Sequence, residues 1–225
     1  MTITTELPRH PANRVKLFCQ EALAISTLAT PLVFTELSYM AIITTDIVMM
    51  GWLGPEALAA GTLAGHFYAF FEFFALGLLS AIAPILAQDL GARRFRKIRP
   101  AVRHGFCVAI MVALPSMAVI WHGGSVLRYL GQDPDLSSAG QSYLRFMFVG
   151  FLPGLWLLIL SEFLAAHMRP RATLIVSLFG IALNVLADYA LMFGNFGFPK
   201  LGLVGAGVAS AVVTTLMFAL LLSFV

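Results

Sequence analysis

Residues 172–193 read ATLIVSLFGIALNVLADYALMF, and Asp188 is the one charged side chain in this stretch. A run of this length, wound as an α-helix, crosses the roughly 30 Å hydrocarbon core of a bilayer. The stretch therefore predicts a transmembrane helix with a carboxyl group inside it. Such a group costs about 2.5–3.5 kcal/mol at a helix centre on insertion scales, so it usually faces a bundle interior or a wet cavity.

The composition of the whole chain agrees with this reading. Hydrophobic residues make up 60% of the sequence, charged residues 11%, and the mean hydropathy is +0.89. Soluble domains are nearer about 45–50% apolar and about 25% charged. The chain is therefore predicted to be an integral membrane protein. Its two cysteines, Cys19 and Cys107, form no CxxC or Cys/His cluster, so no zinc site or disulfide framework is predicted.

Six apolar segments of this kind follow one another, separated by Gly- and Pro-rich breaker sequences. Their approximate bounds are 22–50, 57–87, 101–121, 142–166, 172–193 and 203–225. They lack the alternating pattern of barrel strands, and in lipid a helix satisfies its own backbone hydrogen bonds. The predicted fold class is all-α, a polytopic membrane protein with six transmembrane helices. A cytoplasmic segment, residues 1–20, precedes the six-helix unit of residues 21–225.

The basic residues predict the orientation of the six spans. Eleven of the fourteen Lys and Arg residues lie before the first span, between the second and third, or beside the joint between the fourth and fifth. The positive-inside rule then places the N-terminus and the second and fourth loops in the cytoplasm. The expected location is the plasma (inner) membrane. The densest group is interpreted as this topology signal, compatible with contact to lipid headgroups. Its members are Arg93, Arg94, Arg96, Lys97, Arg99 and Arg103.

Two acids in apolar surroundings are the first candidates for chemistry. Asp46 lies in the outer half of the first span, and Asp188 lies inside the fifth. Asn184 precedes Asp188 by four residues, so the two share a helical face. An amide beside a carboxylate can hydrogen-bond it or share a cation with it. Ion or proton handling is one hypothesis; a polar clamp between helices, and for Asp46 an acid that reaches water, are the alternatives.

Other polar residues in the spans have weaker interpretations. Glu36 and Glu72 are deep enough to be protonated, paired or facing a cavity, whereas Glu162 is most simply interfacial. His66 and His167 lack metal-ligand spacing and are interpreted as structural. A further feature of the first span is Pro31, which predicts a kink and a candidate conformational hinge.

No enzyme motif is present: the sequence has no Walker loop, no HExxH and no GxSxG. The chain is therefore not predicted to be an enzyme, and no cofactor is expected. Without an ATP site, uphill transport must draw on an ion gradient. One charge that crosses 100 mV supplies about 2.3 kcal/mol, which is an adequate scale.

Short segments in a fixed order carry a resemblance to a known family. They are Ala29–Pro31, Asp46–Gly54, Ala57–Ala60, Ala87–Gln88 with Gly91–Ala92, Pro153, Asn184–Tyr189 and Gly202–Ser210. In this order and spacing, the sequence resembles the N-terminal six-helix lobe of multidrug and toxic compound extrusion (MATE) antiporters. The resemblance covers nearly the whole chain from Glu21.

The resemblance implies roles for particular residues. The family's coupling-ion site would fall on Asp46, Asn184 and Asp188, and the ion would be H⁺ or Na⁺, with sodium held at these three positions. Tyr143 and Ser210 resemble the hydroxyl-bearing neighbours on the fourth and sixth helices, although threonine is common where Ser210 stands. Because MATE proteins have two six-helix lobes, the second lobe is expected to be absent from this chain, as in a truncated or half-length member.

The predicted function is secondary active efflux of small amphipathic or cationic organic compounds by proton- or sodium-coupled antiport. The expected partners are these substrates, membrane lipids, and a second six-helix lobe or a second copy of the chain. Two alternatives stay open. One is a six-helix subunit that binds a small molecule for a separate energising partner, and the other is a lipid-linked precursor flippase of the same superfamily, for which a more cationic cavity is expected.

Overall fold

The computed structural model describes residues 11–224, and within that range it has eight α-helices and no strand. They are α1 (Pro11–Leu53), α2 (Pro55–Leu79), α3 (Ile82–Gly91), α4 (Phe95–Trp121), α5 (Gly123–Tyr129), α6 (Pro134–Ala166), α7 (Pro170–Phe193) and α8 (Leu203–Leu222). The predicted all-α class is confirmed. Of the predicted polar segment 1–20, residues 1–10 lie outside the described residues, and 11–20 belong to α1.

In the described part of the chain, six helical units are long and apolar enough to cross a membrane. They are Gln20–Leu53 in α1, Pro55–Gly91 in α2 and α3 together, and the whole of α4, α6, α7 and α8. This confirms the predicted number of spans. The protein is an integral membrane protein with six transmembrane helices.

Three helices begin well before the predicted spans, and one of them is α1, which begins at Pro11 rather than near residue 22. α4 begins at Phe95 rather than near residue 101, and α6 begins at Pro134 rather than near residue 142. Hydropathy marks the part of a helix that lies in hydrocarbon, whereas the helix itself continues into the polar interface. At α6 the Asp133 carboxylate caps this extension, because its Oδ1 accepts from the N–H groups of Asp135 (2.9 Å) and Leu136 (3.2 Å).

The apolar run predicted as one second span, residues 57–87, is two helices. α2 ends at Leu79, and α3 begins at Ile82. Pro84 explains the interruption, since it has no N–H to donate to the carbonyl of Ser80 and its ring crowds that carbonyl. The predicted joint after the third span likewise contains a short helix, α5.

α1 remains helical on both sides of Pro31, which is buried. The hydroxyl of Thr35 donates to the Pro31 carbonyl oxygen (2.8 Å), and Ser38 donates to the Phe34 carbonyl oxygen (2.7 Å). Side-chain bonds to the preceding turn are associated with helix bending. The hinge at Pro31 stays a prediction.

α6 is the central helix of the bundle. It packs against α2, α4 and α8, while α1 packs mainly on α7, and α7 packs on α8. Phe151 on α6 is the bulkiest of the fully buried side chains. This arrangement places α1, α6, α7 and α8 around one interior region.

Candidate functional site

The predicted site residues lie in one layer of the bundle. Asp46 lies seven residues before the end of α1, Asp188 five before the end of α7, and Ser210 seven after the start of α8. With a rise of 1.5 Å per residue, each is about 8–11 Å from its helix end. Three helices therefore bring polar side chains to the same depth.

The Asp46 carboxylate joins α1 to two other helices. Its Oδ1 accepts a hydrogen bond from Nδ2 of Asn184 on α7 (2.9 Å), and its Oδ2 accepts one from the Ser210 hydroxyl on α8 (3.1 Å). Asp46 is 8% exposed and Asn184 is fully buried. Hydrogen bonds to an ionised acceptor are stronger than neutral ones, so this network holds the three helices in register.

Asp188 has a different environment. Its carboxyl group adjoins that of Asp46 and is fully buried. Neither Asp188 oxygen, nor Oδ1 of Asn184, has a hydrogen-bond donor among the residues that the structure describes. An unpartnered buried polar group is costly, and two adjoining carboxylates repel each other when both are ionised. The arrangement can therefore accept one positive charge, either a proton or a small cation.

Tyr143 and Pro31 complete the set of predicted residues. Tyr143 on α6 is 3% exposed and lies within electrostatic reach of Asp46 and Asp188. Pro31 precedes Asp46 by fifteen residues, which is about 22 Å along the helix. The structure thus brings five of the predicted residues together and leaves Pro31 apart from them.

Small residues of α8 make this approach of helices feasible. A methyl group added at Gly207 would lie 2.6 Å from the carbonyl oxygen of Tyr143 on α6. One added at Gly205 would lie 2.6 Å from the carbonyl oxygen of Leu191 on α7. The backbone of α8 therefore touches two neighbouring helices, as small residues permit in membrane bundles. This contact sets the distance at which Ser210 meets Asp46.

Glu36, Glu72 and Glu162 are acids within the membrane-spanning helices that lie outside this cluster. Glu36 and Glu72 are exposed, and each lies seventeen residues from the helix end beside Gly54, one on α1 and one on α2. They share a depth of about 26 Å from that end of the bundle. Both are within electrostatic reach of Tyr39, and Glu36 is within reach of Glu162. The equal distance of Glu36 and Glu72 from the Gly54 joint is the sequence signal for their common depth.

Four other polar side chains in the membrane-spanning helices have partners within their own helix. The rings of His66 and His167 approach carbonyl oxygens of their own helices through Nδ1, at 2.7 Å and 2.8 Å. Sequence reasoning also did not single out the buried hydroxyls of Ser116 and Ser177, which donate to carbonyls three or four residues earlier. These side chains are satisfied within one helix and add nothing to the carboxylate pair.

Comparisons with known proteins agree with this architecture. The MatE family model matches residues 31–190. A probable multidrug resistance protein NorM of Mesorhizobium japonicum is 40% identical over 94% of this chain and 45% of its own length. A probable multidrug resistance protein NorM of Synechocystis is 33% identical over 91% of this chain and 44% of its own length. The chain spans about half the length of the curated relatives it matches.

Solved structures give the same result at the level of the fold. The crystal structure of the eukaryotic MATE transporter AtDTX14 superimposes with a TM-score of 0.86 at 21% identity, covering 92% of this chain and 46% of that one. An outward-facing multidrug resistance MATE transporter gives a TM-score of 0.78 at 20% identity, covering 89% and 44%. Because the family model matches most of the sequence and the folds agree, the chain belongs to the MatE family.

Proposed function

We propose that this chain is the N-terminal lobe of a multidrug antiporter that exports small amphipathic or cationic organic compounds in exchange for H⁺ or Na⁺. The observation that carries the proposal is the unequal carboxyl pair. Asp46 receives two hydrogen bonds, while the adjoining and fully buried Asp188 receives none from the described residues. In a pair with a purely structural role, both carboxyl groups would be expected to have hydrogen-bond donors, since a buried charge without a partner destabilises a fold.

Either coupling ion suits the chemistry of the pair. A proton can be shared between two adjoining carboxyl groups. A sodium ion can be bound by oxygen atoms, which hard cations prefer, and Asp188 and Asn184 offer oxygens that accept no hydrogen bond from the described residues. The charge asymmetry of the loops supports an N-terminus in the cytoplasm. In that orientation the pair lies about 10 Å from the outer end of the bundle and takes up its ion from outside.

Two further acids support a substrate path shared with another lobe. Glu36 and Glu72 are exposed in the middle of membrane-spanning helices. A charge that faces lipid there costs about 2.5–3.5 kcal/mol, so this face of α1 and α2 is expected to line an aqueous path. The curated relatives are about twice as long as the part of them that this chain matches. Their remaining length is enough for a second lobe on the other side of that path. A path lined by acids favours cationic cargo.

Coupling between ion and cargo follows from competition for negative charge. Uptake of H⁺ or Na⁺ neutralises the Asp46 and Asp188 pair, lets α1 bend near Pro31, and lowers the affinity for a cationic compound. The effect is reciprocal, because a bound cargo then lowers the affinity for the ion by the same factor. Antiport results when the two ligands stabilise opposite orientations of the lobe.

The test is the substitution Asp188→Asn in the complete product of the gene that encodes this chain. The variant keeps the size of the side chain but offers no carboxylate to the ion. Export of a fluorescent organic cation from energised cells is expected to fall at least about tenfold, since one interaction with a charged group contributes roughly 1.5–3 kcal/mol. The rate of dye loss after energisation is the measurement.

Glu56→Gln is the matched control, because Glu56 is an exposed acid in the first turn of α2, outside the cluster. This variant is expected to export at the parental rate. Both variants are checked for membrane expression and for thermal unfolding in detergent. Gradient-driven export that persists in folded Asp188→Asn protein would exclude the coupling role of this residue.

A further inference from the structure

A groove of about 450 Å³ lies between α3 and α4, away from the carboxyl pair. One wall carries Ile82, Ile85 and Asp89 on α3, and the other carries Lys97, His104 and Val108 on α4. Each set recurs at three-, four- or seven-residue intervals and so lies along one face of its helix. The two helices run antiparallel on either side of the turn at residues 92–94, so these two sets of side chains face each other across the groove.

The groove changes character along its length. At its floor the helices meet, because a methyl group added at Gly105 would lie 2.7 Å from Cδ1 of Ile82. Ile85 and Val108 give apolar walls, while Asp89 and Lys97 lie near the turn, at the end of the bundle. Lys97 and Val108 are eleven residues apart on α4, which is about 16 Å. A ligand that fills the groove therefore needs a long apolar part and a polar head.

The charge around the polar end is strongly positive. Asp89 is the one acid that lines the groove, whereas six exposed basic residues surround the turn and the start of α4. They are Arg93, Arg94, Arg96, Lys97, Arg99 and Arg103. The first turn of α4 has no acidic residue, and cations there oppose the helix dipole. An anion at this end would offset both the repulsion among the cations and the unfavourable dipole.

We infer that this groove binds one anionic phospholipid of the surrounding leaflet. One of its acyl chains lies along Ile82, Ile85 and Val108, and its phosphate lies near Lys97 among the basic residues. The other occupants of such a groove suit it less well. A cationic drug would be repelled by the basic end, a second copy of the chain would present the same charges, and free phosphate would leave the apolar walls uncovered. Lipid binding in this groove requires neither the coupling site nor transport activity.

Native mass spectrometry of the delipidated 225-residue chain tests the inference. The chain in mild detergent is titrated with phosphatidylglycerol and with phosphatidylcholine of the same acyl chains. One phosphatidylglycerol is expected to bind more tightly than phosphatidylcholine by a factor of several. Because each basic residue near an anionic headgroup contributes to binding, Lys97→Gln is expected to weaken phosphatidylglycerol binding about fivefold. Arg128→Gln removes an exposed cation that does not line the groove, and it is expected to leave phosphatidylglycerol binding unchanged.

A second pair of variants tests the apolar part. Val108→Trp fills the groove and is expected to weaken binding of the lipid, whereas Leu114→Trp adds the same bulk at an exposed position of α4 that does not line it. Equal binding of the two lipids by the parent would overturn the inference. So would equal effects of Lys97→Gln and Arg128→Gln, or of the two tryptophan variants. Displacement of the lipid by millimolar inorganic phosphate would show a plain anion site instead and would equally overturn it.

Discussion

At the scale of single residues, the two carboxyl groups differ in their hydrogen bonds, and this difference indicates two different roles. Asp46 is fixed by donors from α7 and α8, at 2.9 Å and 3.1 Å. Its orientation is therefore determined by α1, α7 and α8 together, so a change in its charge changes the contacts among all three helices. Asp188 has no such donor among the described residues and is free to bind and release an ion. We expect Asp46 to transmit the binding event and Asp188 to exchange the ion.

The hydroxyl of Ser210 provides a test at this scale. Ser210→Ala removes the donor to Oδ2 of Asp46, and a hydrogen bond to a charged group contributes roughly 1.5–3 kcal/mol. We expect the concentration of coupling ion needed for half-maximal release of a fluorescent cation from everted vesicles to change about tenfold or more. The measurement varies Na⁺ at fixed pH and pH at fixed Na⁺, so it also identifies the ion.

Ser210→Thr is the conservative control, because it keeps the hydroxyl at a partly exposed position. It is expected to behave as the parent. Ser223→Ala, at the far end of α8, removes a hydroxyl that donates to the Leu220 carbonyl and is expected to have no effect. If the alanine and threonine variants at position 210 behave alike, the hydrogen bond to Asp46 has no role in ion binding.

Part of this cluster could be predicted from local spacing. Asn184 and Asp188 are four residues apart, so helical periodicity places them on one face, and both are fully buried. The hydrogen bonds of Asp46 join residues 138 and 164 positions apart, and no periodicity predicts such pairs. Family resemblance suggested the neighbours, but it did not predict that Asp46 would receive both hydrogen bonds and Asp188 neither.

At the scale of the helices, the packing of α8 decides whether the cluster can form. Gly207→Ala would press a methyl group against the Tyr143 carbonyl, and backbone cannot yield as a flexible side chain can. We expect the variant to lose roughly 1–3 kcal/mol of stability, typical of overpacking. Thermal unfolding in detergent measures this directly, and ion-driven export should fall as Ser210 moves from Asp46.

Gly65→Ala is the matched control on α2. A methyl group added there meets nothing within 4 Å, and alanine is a better helix former than glycine by about 1 kcal/mol. This variant is expected to unfold at the parental temperature or slightly above it. Equal unfolding temperatures for Gly207→Ala and the parent would mean that α6 and α8 do not approach as closely as the structure has them.

The helices also show where hydropathy stops being informative. It predicted the number of spans, because each must bury about 20 residues in hydrocarbon. It did not predict the starts of α1, α4 and α6, since polar turns in the interface look like loop sequence. The break between α2 and α3 was missed because Pro84 lies in an uninterrupted apolar run, where hydropathy responds to the side chain and not to the absent N–H.

At the scale of the whole molecule, two acidic regions lie at different depths. The carboxyl pair is near the helix ends beside Gly54, and the group of Glu36 and Glu72 is about 26 Å from those ends. Asp46 and Glu36 are ten residues apart on α1, with Pro31 beyond them. A single helix therefore connects the proposed ion site, the proposed cargo path and the proposed hinge, so bending of α1 would affect all three.

The orientation of the molecule decides which side supplies the ion, and it can be measured by cysteine labelling. Cys19 and Cys107 are first replaced by serine, and one cysteine is then introduced by Phe196→Cys or by Gly91→Cys. Phe196 lies between α7 and α8, and Gly91 lies at the end of α3. Both positions are exposed. A membrane-impermeant maleimide is expected to label Phe196→Cys in intact cells and Gly91→Cys only after permeabilisation, because the basic residues beside Gly91 favour the cytoplasm.

The cysteine-free parent gives the background of the labelling. The reverse pattern would place the Asp46 and Asp188 pair within about 10 Å of the cytoplasmic surface. The pair would then meet the low ion concentration of the cell rather than the high concentration outside. That result would contradict the proposal that the pair takes up its ion from the nearer, outer end of the bundle.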